Sequence, residues 1–246
     1  MKLPRLAVAL AFSAVAMSSQ AAPITLNFEG IENYPNGTGT LINQYYNGGT
    51  ASNGASGANY GVSFSAGATL LCLNASGMIC SNTSKGGLGV PGSEFYAMFF
   101  PNQNPIMNVD AGFDTGFSFS YSSPFSSGQT VNIYSGLNGT GSLLASMALP
   151  VTDTGSAACR TTGGGAQYCP FSDLSIAFAG TARSVQFSGA INASVFDDFT
   201  FGSTVVGGGD SGGGENEVPE PASIALLGLG MLGMARSRRA RGSRKD

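Results

Sequence analysis

The sequence predicts an all-β domain: an antiparallel β-sandwich, jelly-roll-like, of about ten short strands, set between an N-terminal signal peptide and one short C-terminal transmembrane helix. Two observations predict the sandwich. Apolar residues alternate with polar ones in short runs rich in aromatic and β-branched side chains, and clusters of Gly, Asn and Ser separate the runs, with 37 glycines in 246 residues. A third observation predicts the ends. The long uncharged apolar runs lie near the two termini, each beside basic residues.

"MKLPRLAVALAFSAVAMSSQAAP" opens with Lys2 and Arg5, continues apolar from Leu6 to Met17 and reaches small residues at Ser19 and Ala21. These are the three regions of a secretory signal peptide, with cleavage expected after Ala21, because a cut after Ala22 would leave Pro23 directly behind it. The apolar run is too short for a membrane anchor of about 20 residues. The domain then spans residues 22–206, long enough for one substantial core. "GGGDSGGGENE" at 207–217 reads as a flexible linker.

Strands follow in order. "PITLNFEG" places Ile24, Leu26 and Phe28 on one face; "YGVSFSAG" does so with Val62 and Phe64, and "TGFSFSYSS" with Phe117, Phe119 and Tyr121. "QTVNIYSG" alternates at Val131 and Ile133, and "ARSVQFSG" at Val185 and Phe187. "NIYSGLNGTGSLLASMALP" reads as a hairpin with Asn138-Gly139 at or near its turn. In "ASVFDDFTFG", strict alternation puts Val195, Asp197, Phe199 and Phe201 on one face, so a carboxylate shares a face with two phenylalanines. A buried unpaired carboxylate is costly, so Asp197 is expected to be paired, to bind a cation, or to be turned outward by a bulge.

Charge and composition exclude several functions. The domain carries Lys85, Arg160 and Arg183 against nine acids, a net −6, so it cannot neutralise a row of phosphates and nucleic acid is not a partner. The chain contains no histidine, which removes Ser-His-Asp and Cys-His catalysis and a histidine-held zinc water. A carboxylate pair of the kind used in glycoside hydrolysis remains, but nothing in the sequence brings two acids to the required separation. The expected protein is not an enzyme.

Four cysteines in an exported chain read as disulfides. Cys72 and Cys80 bracket one short segment and Cys159 and Cys169 another, so two local links are the simplest of the three connectivities. Each would stabilise by roughly 2–3 kcal/mol through loop closure. Tyr34, Tyr45, Tyr46 and Tyr60 crowd the Gly- and Asn-rich segment after the first strand, and tyrosine combines a flat apolar ring with a hydroxyl, which suits a pyranose. The other place for tyrosine is the core or its edge. Tryptophan, the commoner sugar platform, is absent.

The chain ends in "VPEPASIALLGLGMLGMARSRRARGSRKD". Val218-Pro219-Glu220-Pro221 precedes an apolar run from Ala222 to Ala235, which as a helix covers roughly 21 Å against a hydrocarbon layer of roughly 30 Å. Arg236, Arg238, Arg239, Arg241, Arg244 and Lys245 follow, six of the eleven basic residues. They hold the tail on the cytoplasmic side and extend the span by snorkelling. This ending, residues 218–246, resembles the PEP-CTERM sorting signal of Gram-negative bacteria. The resemblance implies a membrane protease-transferase, exosortase, as processing partner, an inner-membrane stage, and delivery to the surface or extracellular matrix.

"NFEG" and "FDDFTFG" in turn resemble the first-strand and last-strand ends of jelly-roll carbohydrate-binding modules. That resemblance implies a structural calcium ion held by Glu29, Asp197 and Asp198, pinning the first strand to the last. Calcium suits such a set because it takes six to eight oxygen ligands. The alternative leaves the Asp pair exposed at a strand end. The expected function is therefore a non-enzymatic surface or matrix protein, sorted by exosortase and associated with exopolysaccharide or biofilm. The alternatives are a carbohydrate-binding module with a defined glycan and, third, a carboxylate-dependent glycoside hydrolase.

Overall fold

The structure is a computed structural model that describes residues 22–35, 39–73, 95–102, 105–124, 128–152 and 168–208. The signal peptide, Cys80, Cys159 and the sorting tail lie outside the described residues, as does the linker beyond Gly208. Among the described residues no helix is long and apolar enough to cross a membrane, and only short 3-10 turns interrupt the strands.

Eleven strands are described: β1 (Ile24–Leu26), β2 (Val62–Phe64), β3 (Thr69–Cys72), β4 (Tyr96–Phe99), β5 (Ile106–Phe113), β6 (Gly116–Ser122), β7 (Gln129–Tyr134), β8 (Leu143–Leu149), β9 (Ser172–Ala177), β10 (Ala182–Ser188) and β11 (Val195–Phe201). They form two antiparallel sheets. One runs β3-β4-β11-β6-β9 with β1 added to β11, and the other runs β2-β5-β10-β7-β8. Their inner faces meet in one core. Phe187 of the second sheet stacks on Phe199 of the first with ring centroids 5.2 Å apart, and Phe117, Phe119 and Phe196 pack around them. Burying each such ring contributes roughly 1.5–3 kcal/mol, so this aromatic cluster is the main force holding the sheets together.

The hairpin β7–β8 forms as its sequence predicts. Asn138 and Gly139 both take positive φ, 57° and 69°, and Thr140 N–H bonds back to the Leu137 carbonyl. Asparagine and glycine are the residues that adopt this conformation at little cost. The Asn138 side chain and backbone then bond Asn108 of β5, folding the turn over the outer face of its sheet.

β11 departs from strict alternation. Its register with β6 slips between Asp197 and Thr200, and Asp198 takes φ 49°, so two residues occupy the place of one. The bulge changes which residues share a face. Phe196, Phe199 and Phe201 enter the central core, whereas Val195 packs with Leu71, Leu73 and Ala97 in a separate cluster. Asp197 therefore does not share a core face with Phe199 and Phe201, which corrects the alternation read from the sequence.

The bulge sits where β11 changes partners. On one edge Val195 and Phe196 pair with β4, and Phe199 to Phe201 pair with β1. The sheet forks between those two stretches, at Asp197 and Asp198. Just beyond β1, Phe28 also takes a left-handed φ of 58° and is wholly buried, although it has left the strand.

The segment 39–60 closes one flank of the sandwich. Gly39 N–H, Leu70 N–H and Ile42 N–H make backbone bonds that lay residues 39–42 along the free edge of β3, and Tyr60 N–H bonds the Tyr46 carbonyl beside β2. This wrapping decides where the tyrosines of that segment point.

Candidate functional site

The fork in the first sheet leaves backbone amides without strand partners, and side chains accept from them. Glu29 Oε1 accepts from Phe95 N–H at 2.8 Å and from Tyr96 N–H at 3.1 Å, tying the exit of β1 to the entry of β4. Tyr46 Oη accepts from Phe28 N–H at 3.1 Å. Asp197, fully buried, accepts from Asp198 N–H through Oδ1 at 2.8 Å. An unmet buried amide costs about 1–3 kcal/mol, so these polar residues have a structural reason to be where they are.

Asp198 is the electrostatically perturbed member. Burial, then the negative charges of Asp173 and Glu29, push its carboxyl up from 3.8 to about 6. The structure therefore brings Glu29, Asp173 and Asp198 within electrostatic reach, with Asp197 next in the chain. Arg183 is the one cation among the described residues. Among those residues no group of three or more histidine, cysteine, aspartate or glutamate side chains is arranged to hold a metal ion. Glu29 also reaches the fork with one oxygen already engaged by two amides. Glu29, Asp197 and Asp198 thus gather at one place in the fold, as a backbone clamp, a buried acceptor and a raised carboxyl.

Sequence reasoning passed over Asp173. It is an exposed position on β9, paired across the ladder with Ser120, whose hydroxyl donates to its carboxylate at 2.6 Å. One signal was available, a lone acid in the otherwise uncharged alternating run "SDLSIA". Asp173 and Ser175, with Leu174, Thr204, Val205 and Val206, line an open cleft of ≈ 210 Å³. Its far wall is the segment after β11, held down by Gly207 N–H donating to Thr200 Oγ1 at 3.0 Å.

The four tyrosines divide. Tyr45 and Tyr46 are buried, with rings 4.9 Å apart and perpendicular, and Gly57 lies against the Tyr45 ring face. Burial pushes the Tyr46 hydroxyl above the usual phenol range. Neither ring is presented to solvent, so neither forms a sugar platform. Tyr60 is 39% exposed and stacks loosely on Tyr46, and half-buried Tyr34 packs on Phe95, itself 38% exposed. Tyr34, Phe95 and Tyr60 are the rings that surface here, and Phe95 was missed because one aromatic before an apolar strand looks like core.

Beside them Glu32 accepts from Asn33 N–H, from Asn53 Nδ2 at 2.8 Å and from Thr40 Oγ1, and these bonds hold its carboxyl below the usual range. The constellation pins the loop. Cys72 and Cys169 are both buried and both disulfide-bonded, while Cys80 and Cys159, the partners expected from the spacing, fall outside the described residues.

Residues 217–239 match the PEP-CTERM protein-sorting motif. The match takes in Val218, Pro219, Glu220, Pro221, the apolar run, Arg236, Arg238 and Arg239, and stops short of Arg241. No curated protein matches the chain. Among solved structures, a family 6 carbohydrate-binding module known from a crystallographic and calorimetric dissection of its binding sub-sites is 20% identical, with a TM-score of 0.30 over 54% of this chain and 92% of that one. The C-terminal CBM6 of LamC from Zobellia galactanivorans is 12% identical, with a TM-score of 0.29 over 54% of this chain and 98% of that one. Likeness of this degree assigns neither ligand nor activity.

Proposed function

We propose that this chain, which carries a PEP-CTERM sorting motif at residues 217–239, is a non-enzymatic exported protein that exosortase processes at the inner membrane and passes to the cell surface or extracellular matrix. The motif match is the observation that carries the reading. Pro219 and Pro221 lack amide hydrogens and disfavour helix in the residues before them, so a protease meets extended chain next to the membrane. The arginines resist translocation and hold the substrate there. Intact-mass measurement of the mature protein from the native host tests this: its new C-terminus is expected near Glu220. Mature surface protein still ending at Asp246 would reduce the tail to an anchor.

Once exported, the domain is proposed to associate with neutral polysaccharide. What supports this is the Tyr34–Phe95 ring pair at the surface, with the hydrogen-bonded Glu32 and Asn53 in the same loop-rich segment, and the separately exposed ring of Tyr60. A carbohydrate-binding module with one defined glycan is the sharper form of the same reading, and a glycan array on the exported protein separates the two. A jelly-roll course for the sandwich and a structural calcium ion belong to the proposal as well. The raised Asp198 carboxyl supports the ion, since a cation among Glu29, Asp197 and Asp198 would offset the burial that chiefly raises it and the smaller repulsion from Asp173 and Glu29.

A further inference from the structure

The chain does not leave the domain directly after β11. Residues 203–208 fold back over the outer face of the first sheet, where Gly202 N–H bonds the Gly116 carbonyl at 3.0 Å and Gly207 N–H bonds Thr200 Oγ1. Ser203 Oγ accepts from Val205 N–H and the Val205 carbonyl accepts from Gly208 N–H, so this strap is held along its length. Gly116 lets it lie flat, since a Cβ there would stand 2.6 Å from Thr204 Cγ2. The cleft of ≈ 210 Å³ between strap and β9 therefore has two fixed walls. Its lining combines the Asp173 carboxylate and the Ser175 and Thr204 hydroxyls with the aliphatic side chains of Leu174, Val205 and Val206. Ser118 pairs with Ser175 across the ladder, so it stands on the cleft face one strand inward, and its wholly buried hydroxyl has no hydrogen-bond partner among the described residues. Buried hydroxyls are normally paired, so hydrogen-bonding capacity is left unused at the inner end of the cleft.

We propose that this cleft binds one amino-sugar unit of a polysaccharide, with the ammonium group facing Asp173, the sugar hydroxyls meeting Ser175 and Thr204, and the C–H face lying on Leu174, Val205 and Val206. Its volume is below the roughly 300–1,000 Å³ of pockets for drug-sized ligands, which suits a single ring, and its open mouth lets the chain continue on either side. Charge selects the ammonium. Arg183, the one cation among the described residues, lies on β10 of the other sheet, while Asp198 and Glu29 stand within electrostatic reach behind Asp173. An ammonium group is attracted by all three carboxylates, whereas a neutral sugar gains only the hydrogen bonds and an acidic one is repelled. A wholly apolar ligand would strip water from Asp173 without replacing it. Ser120 Oγ donates to Asp173 Oδ1 at 2.6 Å and so positions the carboxylate in advance. β9 is three strands along the sheet from β4, so the site is separate from the Tyr34–Phe95 pair and rests on neither the sorting reading nor the calcium ion.

The test is a titration of the exported protein, in chelator, with a fully de-N-acetylated glucosamine tetramer at mildly acidic pH, where its amines are charged. Binding should shift the amide NMR signals of Ser175 and of residues 204–206, and should weaken as salt is added. The N-acetylated tetramer should bind more weakly, because acetylation removes the charge. Asp173→Asn, whose side-chain carbonyl can still accept from Ser120, should weaken binding roughly five- to tenfold. Asp110→Asn removes an exposed acid from β5 of the other sheet and should bind as the parent does, which separates local recognition from net charge. A thermal melt of Asp173→Asn shows that the fold is kept. No binding, equal binding of the acetylated tetramer, shifts confined to the Tyr34–Phe95 region, or a folded Asp173→Asn that binds like the parent overturns the proposal.

Discussion

Asp198→Asn isolates the electrostatic cost at the fork. Asparagine keeps the size of the side chain and tolerates the left-handed φ of 49°, and the two hydrogen bonds at this residue use its backbone, from Asp198 N–H to Asp197 and from Thr200 Oγ1 to the Asp198 carbonyl. The carboxyl titrates near 3.8 in the unfolded chain and at about 6 when folded. Between those values the folded protein binds more protons than the unfolded one, so stability falls as pH rises through the window and the loss is complete above it. A shift of about two units corresponds to roughly 2–3 kcal/mol. In chelator, Asp198→Asn should match the parent near pH 4 and exceed it by roughly 2–3 kcal/mol at pH 7, a rise of about 4–12 °C in melting temperature for a domain of this size. Urea unfolding of both proteins at four pH values measures the difference. A gap that is flat with pH, or that widens toward acid, would refute the argument, because it would mean that burial, Asp173 and Glu29 do not hold the proton.

Calcium in place of chelator should raise the melting temperature of the parent, by about 2.7 kcal/mol at a hundredfold excess over Kd, and Asp198→Asn should lose that response while remaining folded. Gly57→Ala should destabilise by roughly 1–3 kcal/mol in a thermal melt, because the new Cβ would stand 2.4 Å from Tyr45 Cε1 in a closely packed wall. Ser118→Ala should leave stability unchanged or raise it by up to about 1 kcal/mol, since the Ser118 hydroxyl is buried without a hydrogen-bond partner among the described residues.

How far the sequence could be read follows from the range of the interactions involved. Alternation in β6, β7 and β10 is a local property, and Phe117, Phe119, Val131, Ile133, Val185 and Phe187 are core residues as their spacing says. The turn at Asn138-Gly139 is equally local, and the tail announces itself through order and composition within a few dozen residues. The bulge in β11 is different. It exists because β4 and β1, from distant parts of the chain, share one edge of that strand, and a single extra residue there moves Asp197 off the core face. No periodicity inside "SVFDDFTF" reports on that. The tyrosines fail to read for the same reason. A Gly- and Asn-rich segment looks like an exposed loop, yet residues 39–60 fold back along β3 and β2, which turns Tyr45 and Tyr46 inward and leaves Tyr60 at the surface.

The same wrapping explains why the carboxylates at the fork support two readings at once. Glu29 and Asp197 accept from backbone amides that the fork deprives of strand partners, which is reason enough for acids in a chain whose domain has so few charges. Asp198 has no such duty. Its backbone makes the bonds, and its side chain carries a charge that burial and two neighbouring acids oppose. A position that only needed a left-handed residue would be served better by asparagine or glycine, at no electrostatic cost. The acid at 198 is therefore the one residue of the cluster that structure alone leaves unexplained, and it is where a bound cation would change the balance.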